Sequence, residues 1–114
     1  MANLFKVKTH KNIGVSAVTV NSYTVATATT ATVIGLTLTN RTGAAIKASA
    51  MHNDGVGASG QNTYLIYNAP VPAGSALIVV GGDQKLVLQN AHSIQCQSNT
   101  ALSLDIVLSV LEIT

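Results

Sequence analysis

Residues 102–110 read Leu-Ser-Leu-Asp-Ile-Val-Leu-Ser-Val, with a large aliphatic residue at every even position. Serine and aspartate fill most of the positions between them. Side chains of a β-strand alternate between two faces, so this pattern predicts a strand with one buried face. A helix would place its apolar residues three and four apart, which does not match five successive even positions. Leu111 and Ile113 then change the apolar face, which predicts a bulge or burial of both faces there.

The same alternation recurs along most of the chain. Thr32–Asn40 and Ala44–Asn53 flank a small-residue turn, so residues 32–53 are predicted to form a hairpin. Asn62–Ala69 is predicted to be a strand with Tyr64 and Tyr67 on opposite faces. Further strands are predicted at residues 13–20, 22–29, 75–80, 85–89 and 92–98. About seven or eight strands of this kind predict an all-β fold, a single antiparallel β-sandwich of jelly-roll-like or Ig-like form.

The composition indicates a single domain with unusually few charges. A chain of 114 residues has the length of one domain. Only 9% of its residues are charged, against about 25% in ordinary soluble domains. Threonine, serine and amide surfaces can be covered by a partner without desolvating ions, which favours a protein that lives in an assembly. We expect residues 1–12 to form an extended N-terminal arm and residues 13–114 to form the β-sandwich domain.

The expected arm carries half of the cations of a chain whose net charge is +2. Lys6, Lys8 and Lys11 could contact an acidic neighbour, and the arm could add a strand to that neighbour. The alternative is a solvated terminal segment. Four aromatic residues give no stacking platform, so no nucleic-acid partner is expected.

The sequence predicts no catalytic residues, no metal ligands and no cofactor. Its four carboxylates and three histidines follow no metal or catalytic spacing, and Cys96 is the one cysteine. Cys96 shares a strand face with Ile94 and is predicted to be a small buried apolar residue. The glycine-rich loop at residues 54–60 lacks lysine and precedes a strand, so it does not fit a phosphate cradle and is interpreted as a contact loop. We therefore expect a protein that is not an enzyme.

The sequence also predicts where the protein resides. No run of about 18 apolar residues is present, so no membrane contact is expected. The first residues lack the apolar stretch of a signal peptide, which predicts that the chain is made and kept in a cytoplasm, or in a particle assembled there.

Several stretches together resemble small structural proteins of tailed bacteriophages, over roughly residues 32–113. They are Ile34-Gly-Leu-Thr-Leu-Thr-Asn40, Tyr64-Leu-Ile-Tyr-Asn-Ala-Pro-Val-Pro-Ala-Gly-Ser-Ala-Leu77, Gln84-Lys-Leu-Val-Leu88, Ser93-Ile94 and Leu104-Asp-Ile-Val-Leu-Ser-Val-Leu-Glu-Ile113. The family pattern commonly has a Gly-Asp-Ser-Ile turn, where this chain has Asn90-Ala91-His92-Ser93-Ile94.

The resemblance implies a virion protein, assembled in the host cytoplasm. A capsid decoration (cement) protein that clamps neighbouring capsid subunits is the first expectation, with a homotrimer as its form and the major capsid protein as partner. A tail, neck or baseplate component is the alternative, and a glycan-binding β-sandwich is a second one. The residues expected to contact a partner are Phe5, Lys6, Lys8, Lys11, Tyr64, Tyr67 and Leu111.

Overall fold

The computed structural model describes residues 3–55, 62–81 and 85–114, and these form nine β-strands and no helix. The strands are β1 (Asn3–Ile13), β2 (Val18–Thr24), β3 (Thr30–Asn40), β4 (Ile46–Asn53), β5 (Asn62–Val71), β6 (Ala76–Val80), β7 (Leu86–Leu88), β8 (Ser93–Ser98) and β9 (Leu104–Ile113). The predicted all-β sandwich is thereby confirmed. Most of the glycine-rich loop at residues 54–60 lies outside the described residues.

The strands form two antiparallel sheets. One has five strands in the order β1-β9-β3-β6, with β7 also pairing with β3, and the other has the order β2-β8-β4-β5. If β6 and β7 are counted as two parts of one interrupted strand, the chain has eight strands in two four-stranded sheets. Most connections cross from one sheet to the other, which is the jelly-roll form of the sandwich.

The predicted hairpin at residues 32–53 is wrong, although both of its strands exist. β3 lies in the five-stranded sheet and β4 in the four-stranded sheet, so the chain crosses between layers at residues 41–45. Asn40, which is fully buried, fixes this corner. Its Nδ2 donates to the carbonyl oxygens of Ala44, Val71 and Pro72, and its Oδ1 accepts from the backbone N–H of Thr42.

The core lies between the two sheets. Leu36, Leu38, Ile106 and Leu108 point inward from β3 and β9 and are at most 1% exposed. The opposite layer supplies Ile94 and smaller side chains such as Ala48, Ala50 and Cys96, each fully buried. Apolar faces of β3 and β4 thus meet face to face, which buries more apolar area than pairing them side by side.

Residues 1–12 are predicted to form an extended N-terminal arm, but residues 3–12 belong to β1 of the sandwich. This edge strand pairs with β9 from Asn3, opposite Ile113, to Ile13, opposite Leu104. The sequence of β1 does not alternate between apolar and polar residues as other strands do, because Lys6, Lys8 and His10 occupy its inward-facing positions. Inward charges on an edge strand oppose further strand pairing, a known protection of sheet edges.

β9 keeps its alternation to its last residue. Against β1, its register is continuous from Ile106 to Ile113, so no bulge interrupts that pairing after Val110. Leu111 and Ile113 lie on the outer face, partly covered, and Glu112 occupies the buried face. Leu111 and Ile113 are only partly covered, so burial of both faces does not explain the change; β9 keeps its alternation and places a polar residue inward. A register shift does occur in the pairing with β3, between Val33, opposite Val110, and Gly35, opposite Ser109.

Candidate functional site

The outer surface of the five-stranded sheet carries the largest group of exposed apolar side chains in the described residues. We call this surface the sheet face. Residues directly opposite each other in antiparallel strands share a face, so the register defines two rows across the sheet. The first row is Phe5, Leu111, Thr32 and Val87. The second is Thr9, Val107, Thr37 and Ile78.

Side chains in these rows stand out into solvent. Phe5 is 72% exposed, Ile78 69%, Val87 51% and Val107 44%. Val7, between the rows on β1, is 61% exposed. Apolar groups left in water on one continuous face commonly mark an interaction surface.

A trough separates the two rows, because the residues between them are small. Gly35 lies opposite Ser109, which in turn lies opposite Val7. The trough has a volume of about 300 Å³, and Phe5 and Ile34 contribute to its walls. The sheet face therefore offers two apolar ridges and a depression into which a partner's side chain can insert.

Two of the residues expected to contact a partner lie on the sheet face. Phe5 and Leu111 are direct cross-strand partners in the first row. The Phe5 side chain is highly exposed, whereas the Leu111 side chain is partly covered. The structure thus brings together residues that lie more than a hundred positions apart in the sequence.

Lys6 and Lys8, also expected to contact a partner, are engaged within the chain. Lys6 Nζ lies 3.0 Å from Glu112 Oε1, and Lys8 Nζ lies 5.4 Å from the centre of the Tyr23 ring. The Tyr23 hydroxyl donates to Glu112 Oε2 at 2.5 Å. Hydrogen bonding from Tyr23, together with Lys6, lowers the pKa of Glu112. Burial and the same hydrogen bond raise the pKa of Tyr23.

Lys11 remains exposed at the irregular end of β1, where the register shifts between His10 and Ile13. It lines a shallow depression with Asp105 and Val107. Of the three expected contact lysines, it is the one whose side chain lies at the border of the sheet face.

Tyr64 and Tyr67 lie on the opposite side of the molecule, and the prediction that they point to opposite faces is wrong. Their rings touch edge to face, with centres 4.8 Å apart. The register between β4 and β5 shifts twice between Ala48 and Met51. One of these shifts adds a residue to β5 between Tyr64, opposite Met51, and Ile66, opposite Ala50. This extra residue reverses the alternation between the two tyrosines and turns both toward one side.

Next to the tyrosines lies a depression of about 310 Å³, which we call the tyrosine groove. It is lined by Val15, Lys47, Ser49, Tyr64, Tyr67, Asn68, Gln97, Ser98 and Asn99. Sequence reasoning missed the groove because its aromatic wall depends on this extra residue of β5, which no residue pattern announced.

Reactive side chains are few in the described ranges. His52 Nε2 and His92 Nδ1 are 2.9 Å apart, and burial, followed by the neighbouring His92, lowers the pKa of His52. In residues 3–55, 62–81 and 85–114, no three His, Cys, Asp or Glu side chains gather into a group that could hold a metal ion. Cys96 is fully buried, as predicted, and burial raises the pKa of its thiol to about 12.

The described residues contain no helix long and apolar enough to cross a lipid bilayer.

Comparisons with known proteins support the fold. No protein-family model matches the chain, and no curated protein matches it. A solved structure of Bacillus endospore appendages, described as a novel family of disulfide-linked pili, is similar with a TM-score of 0.53. The similarity covers 98% of this chain and 88% of that chain, at 10% sequence identity. At this sequence identity, the similarity shows a shared fold only.

Proposed function

We propose that this chain is a non-enzymatic structural protein of a virion, a capsid decoration protein whose sheet face lies against neighbouring capsid subunits. The observation that carries the proposal is the sheet face itself, with its two exposed apolar rows and the trough between them. A tail, neck or baseplate position would use the same surface against a different neighbour.

The size of the sheet face suits a contact that many copies reinforce. Strands rise about 3.4 Å per residue and lie about 4.8 Å apart, so the ten residues of β9 across four strands span roughly 650 Å². A standard interface takes about 800 Å² from each partner. A single contact of this size is modest, and symmetric copies in one particle would add avidity.

The distribution of charged side chains also supports the use of the sheet face as a protein contact. The outward positions of the two rows carry aliphatic, aromatic and threonine side chains. Lys6, which also lines the trough, is neutralised by Glu112, and Lys8 packs on Tyr23. Interface centres are typically depleted of charged residues, because ions must be desolvated there. Asp105 and Arg41, which form an ion pair at 3.8 Å, lie at the border of the sheet face.

Assembly through the sheet face differs in chemistry from a disulfide-linked assembly such as the endospore pili. Cys96 is the one cysteine of this chain and is fully buried between the sheets. Its thiol cannot reach another chain without opening the core. The proposed assembly is therefore non-covalent, and it stabilises the particle because the chain binds the assembled form.

Gly35→Val tests the proposal. A Cβ at residue 35 would meet Ser109 Cβ at 3.9 Å, an ordinary contact, so the variant should fold. Its γ-carbons would project from the sheet face beside Ser109, which lines the trough. Gly43→Val is the matched control, because a Cβ at that corner glycine meets nothing within 4 Å.

The measurement is rebinding of purified chain to virion particles that lack it, with copy number and particle heat stability as readouts. We expect Gly35→Val to bind about tenfold more weakly or worse, with unchanged thermal stability, and Gly43→Val to bind normally. Normal rebinding by Gly35→Val, or absence of the wild-type chain from purified particles, would refute the proposal.

A further inference from the structure

The tyrosine groove is built by deviations from regular strand geometry in β5. In a regular strand, Tyr64 and Tyr67 would point to opposite faces. The extra residue of β5 between Tyr64 and Ile66 places both tyrosines on the outer side, where they remain 48% and 66% exposed. Bulges that turn side chains toward one site are common next to functional sites.

Hydrogen bonds hold the lining of the groove in place. The backbone N–H of Asn68 donates to Ser49 Oγ at 2.9 Å, which fixes the positive-φ turn beside Tyr67. Across the groove, Gln97 Nε2 donates to the carbonyl oxygen of Val15 at 2.8 Å. The first contact joins β5 to β4, and the second joins β8 to the segment between β1 and β2. Both are present before any ligand arrives, and such preorganisation lowers the cost of binding.

A third hydrogen bond links Lys47, in the groove lining, to the residue that follows β8. Asn99 Oδ1 accepts the backbone N–H of Lys47 at 3.0 Å. The amide groups of Gln97 and Asn99 each keep hydrogen-bonding capacity after these contacts, because a primary amide offers two donor hydrogens and one acceptor oxygen.

We propose that the tyrosine groove binds a pyranose ring of a saccharide. The C–H faces of a sugar ring can pack on the exposed tyrosines, while its hydroxyls exchange hydrogen bonds with amide and hydroxyl groups. The groove offers both kinds of contact. Its volume of about 310 Å³ lies at the small end of ligand pockets, which suits one ring of a longer chain.

The lining residues favour binding over catalysis. No carboxylate, histidine or thiol is among the described residues that line the groove, and Lys47 is its one charged side chain. Val15 is the single aliphatic side chain among the described residues that line the groove, so the groove does not suit an aliphatic ligand. Lys47 would favour a saccharide that carries a carboxylate, whereas the amides serve neutral sugars equally well.

The test uses an array of neutral hexose and N-acetylhexosamine oligosaccharides together with oligosaccharides that contain uronic acid, followed by titration calorimetry of the hits. We expect millimolar or tighter binding. Tyr67→Ala should weaken it about tenfold or more, and Tyr67→Phe should change it little, because stacking needs the ring. Phe5→Ala, on the opposite sheet, is the control and should bind normally.

Lys47→Gln separates the two saccharide classes. A loss of binding identifies the acidic class, and unchanged binding identifies the neutral class.

Absence of binding to every oligosaccharide, or binding that Tyr67→Ala leaves unchanged, would overturn the proposal. Loss of particle rebinding by Tyr67→Ala without any saccharide binding would also overturn it, and would assign the groove to a protein contact. Gly35→Val should retain saccharide binding, so failure of the virion proposal would be seen separately.

Discussion

Asn40 and Glu112 are buried polar residues at opposite ends of the five-stranded sheet, and each is satisfied by partners from other segments. Asn40 holds the corner between β3 and β4 through carbonyl groups that lie about thirty residues away. Glu112 receives the Tyr23 hydroxyl and pairs with Lys6, which ties β9 to β2 and β1. Buried polar groups with complete partners add specificity to a core, because the same groups would be costly in any other packing.

Acid should weaken the fold through Glu112. Its pKa in the folded chain lies below its ordinary value of 4.5, so its contribution to stability is complete above that pH and is lost as pH falls through the lowered pKa. Glu112→Gln keeps the shape but removes the charge. We expect it to cost about 1–3 kcal/mol of unfolding free energy at pH 7, with a smaller difference from wild type below pH 4.

Urea unfolding of both proteins from pH 7 to pH 3 measures this difference. Asp105→Asn is the control, because its ion pair with Arg41 is partly exposed and 3.8 Å long and should contribute little. A gap between wild type and Glu112→Gln that stays constant over this pH range would contradict the role assigned to Glu112.

At the scale of strands, the sequence pattern located most elements and failed on how they associate. Alternation identified β3, β4, β8 and β9 because most of their inward positions are apolar. It missed β1, whose inward positions carry lysine and histidine that pair with groups on other strands. Pairing partners could not be predicted, because a turn of five residues serves equally for a hairpin and for a crossing between sheets.

The bulges in β5 explain the remaining error at this scale. Tyr64 and Tyr67 are three residues apart, which means opposite faces in any regular strand. The shifts that turn them to one side depend on contacts with β4, including the bond from Asn68 to Ser49. Most of the sheet face, in contrast, follows from simple alternation in β1 and β9 once their register is known.

Removal of residues 2–12 distinguishes a free arm from an edge strand. An arm could be removed without thermodynamic cost. β1, however, pairs with β9 from Asn3 to Ile13, and its loss would expose the edge of β9 and leave Glu112 without Lys6. We expect the melting temperature to fall by about 10 °C or more, or the chain to aggregate.

Thermal unfolding followed by circular dichroism is the measurement, with Lys11→Ala as a control of unchanged stability. A truncated chain that melts at the wild-type temperature would contradict the assignment of β1 to the sandwich.

At the scale of the whole molecule, the two candidate surfaces lie on the outer sides of different sheets and therefore face away from each other. The chain measures 45 × 31 × 21 Å, so a sandwich only two layers thick separates them. The sheet face is apolar and suits a protein neighbour, whereas the tyrosine groove is rich in amide and hydroxyl groups. We expect a chain bound through the sheet face to leave the groove open to solvent.

Cysteine labelling in the particle tests the use of the sheet face most directly. Ile78→Cys and Val107→Cys place a thiol on the second row, and Thr63→Cys places one on β5 of the other sheet. The buried Cys96 should contribute no background in the folded protein. All three introduced thiols should react with maleimide in the free chain. In assembled particles, we expect the labelling rates of Ile78→Cys and Val107→Cys to fall by about tenfold or more, while Thr63→Cys reacts as before. Equal labelling rates at residues 78 and 107 in free chain and particle would contradict the account.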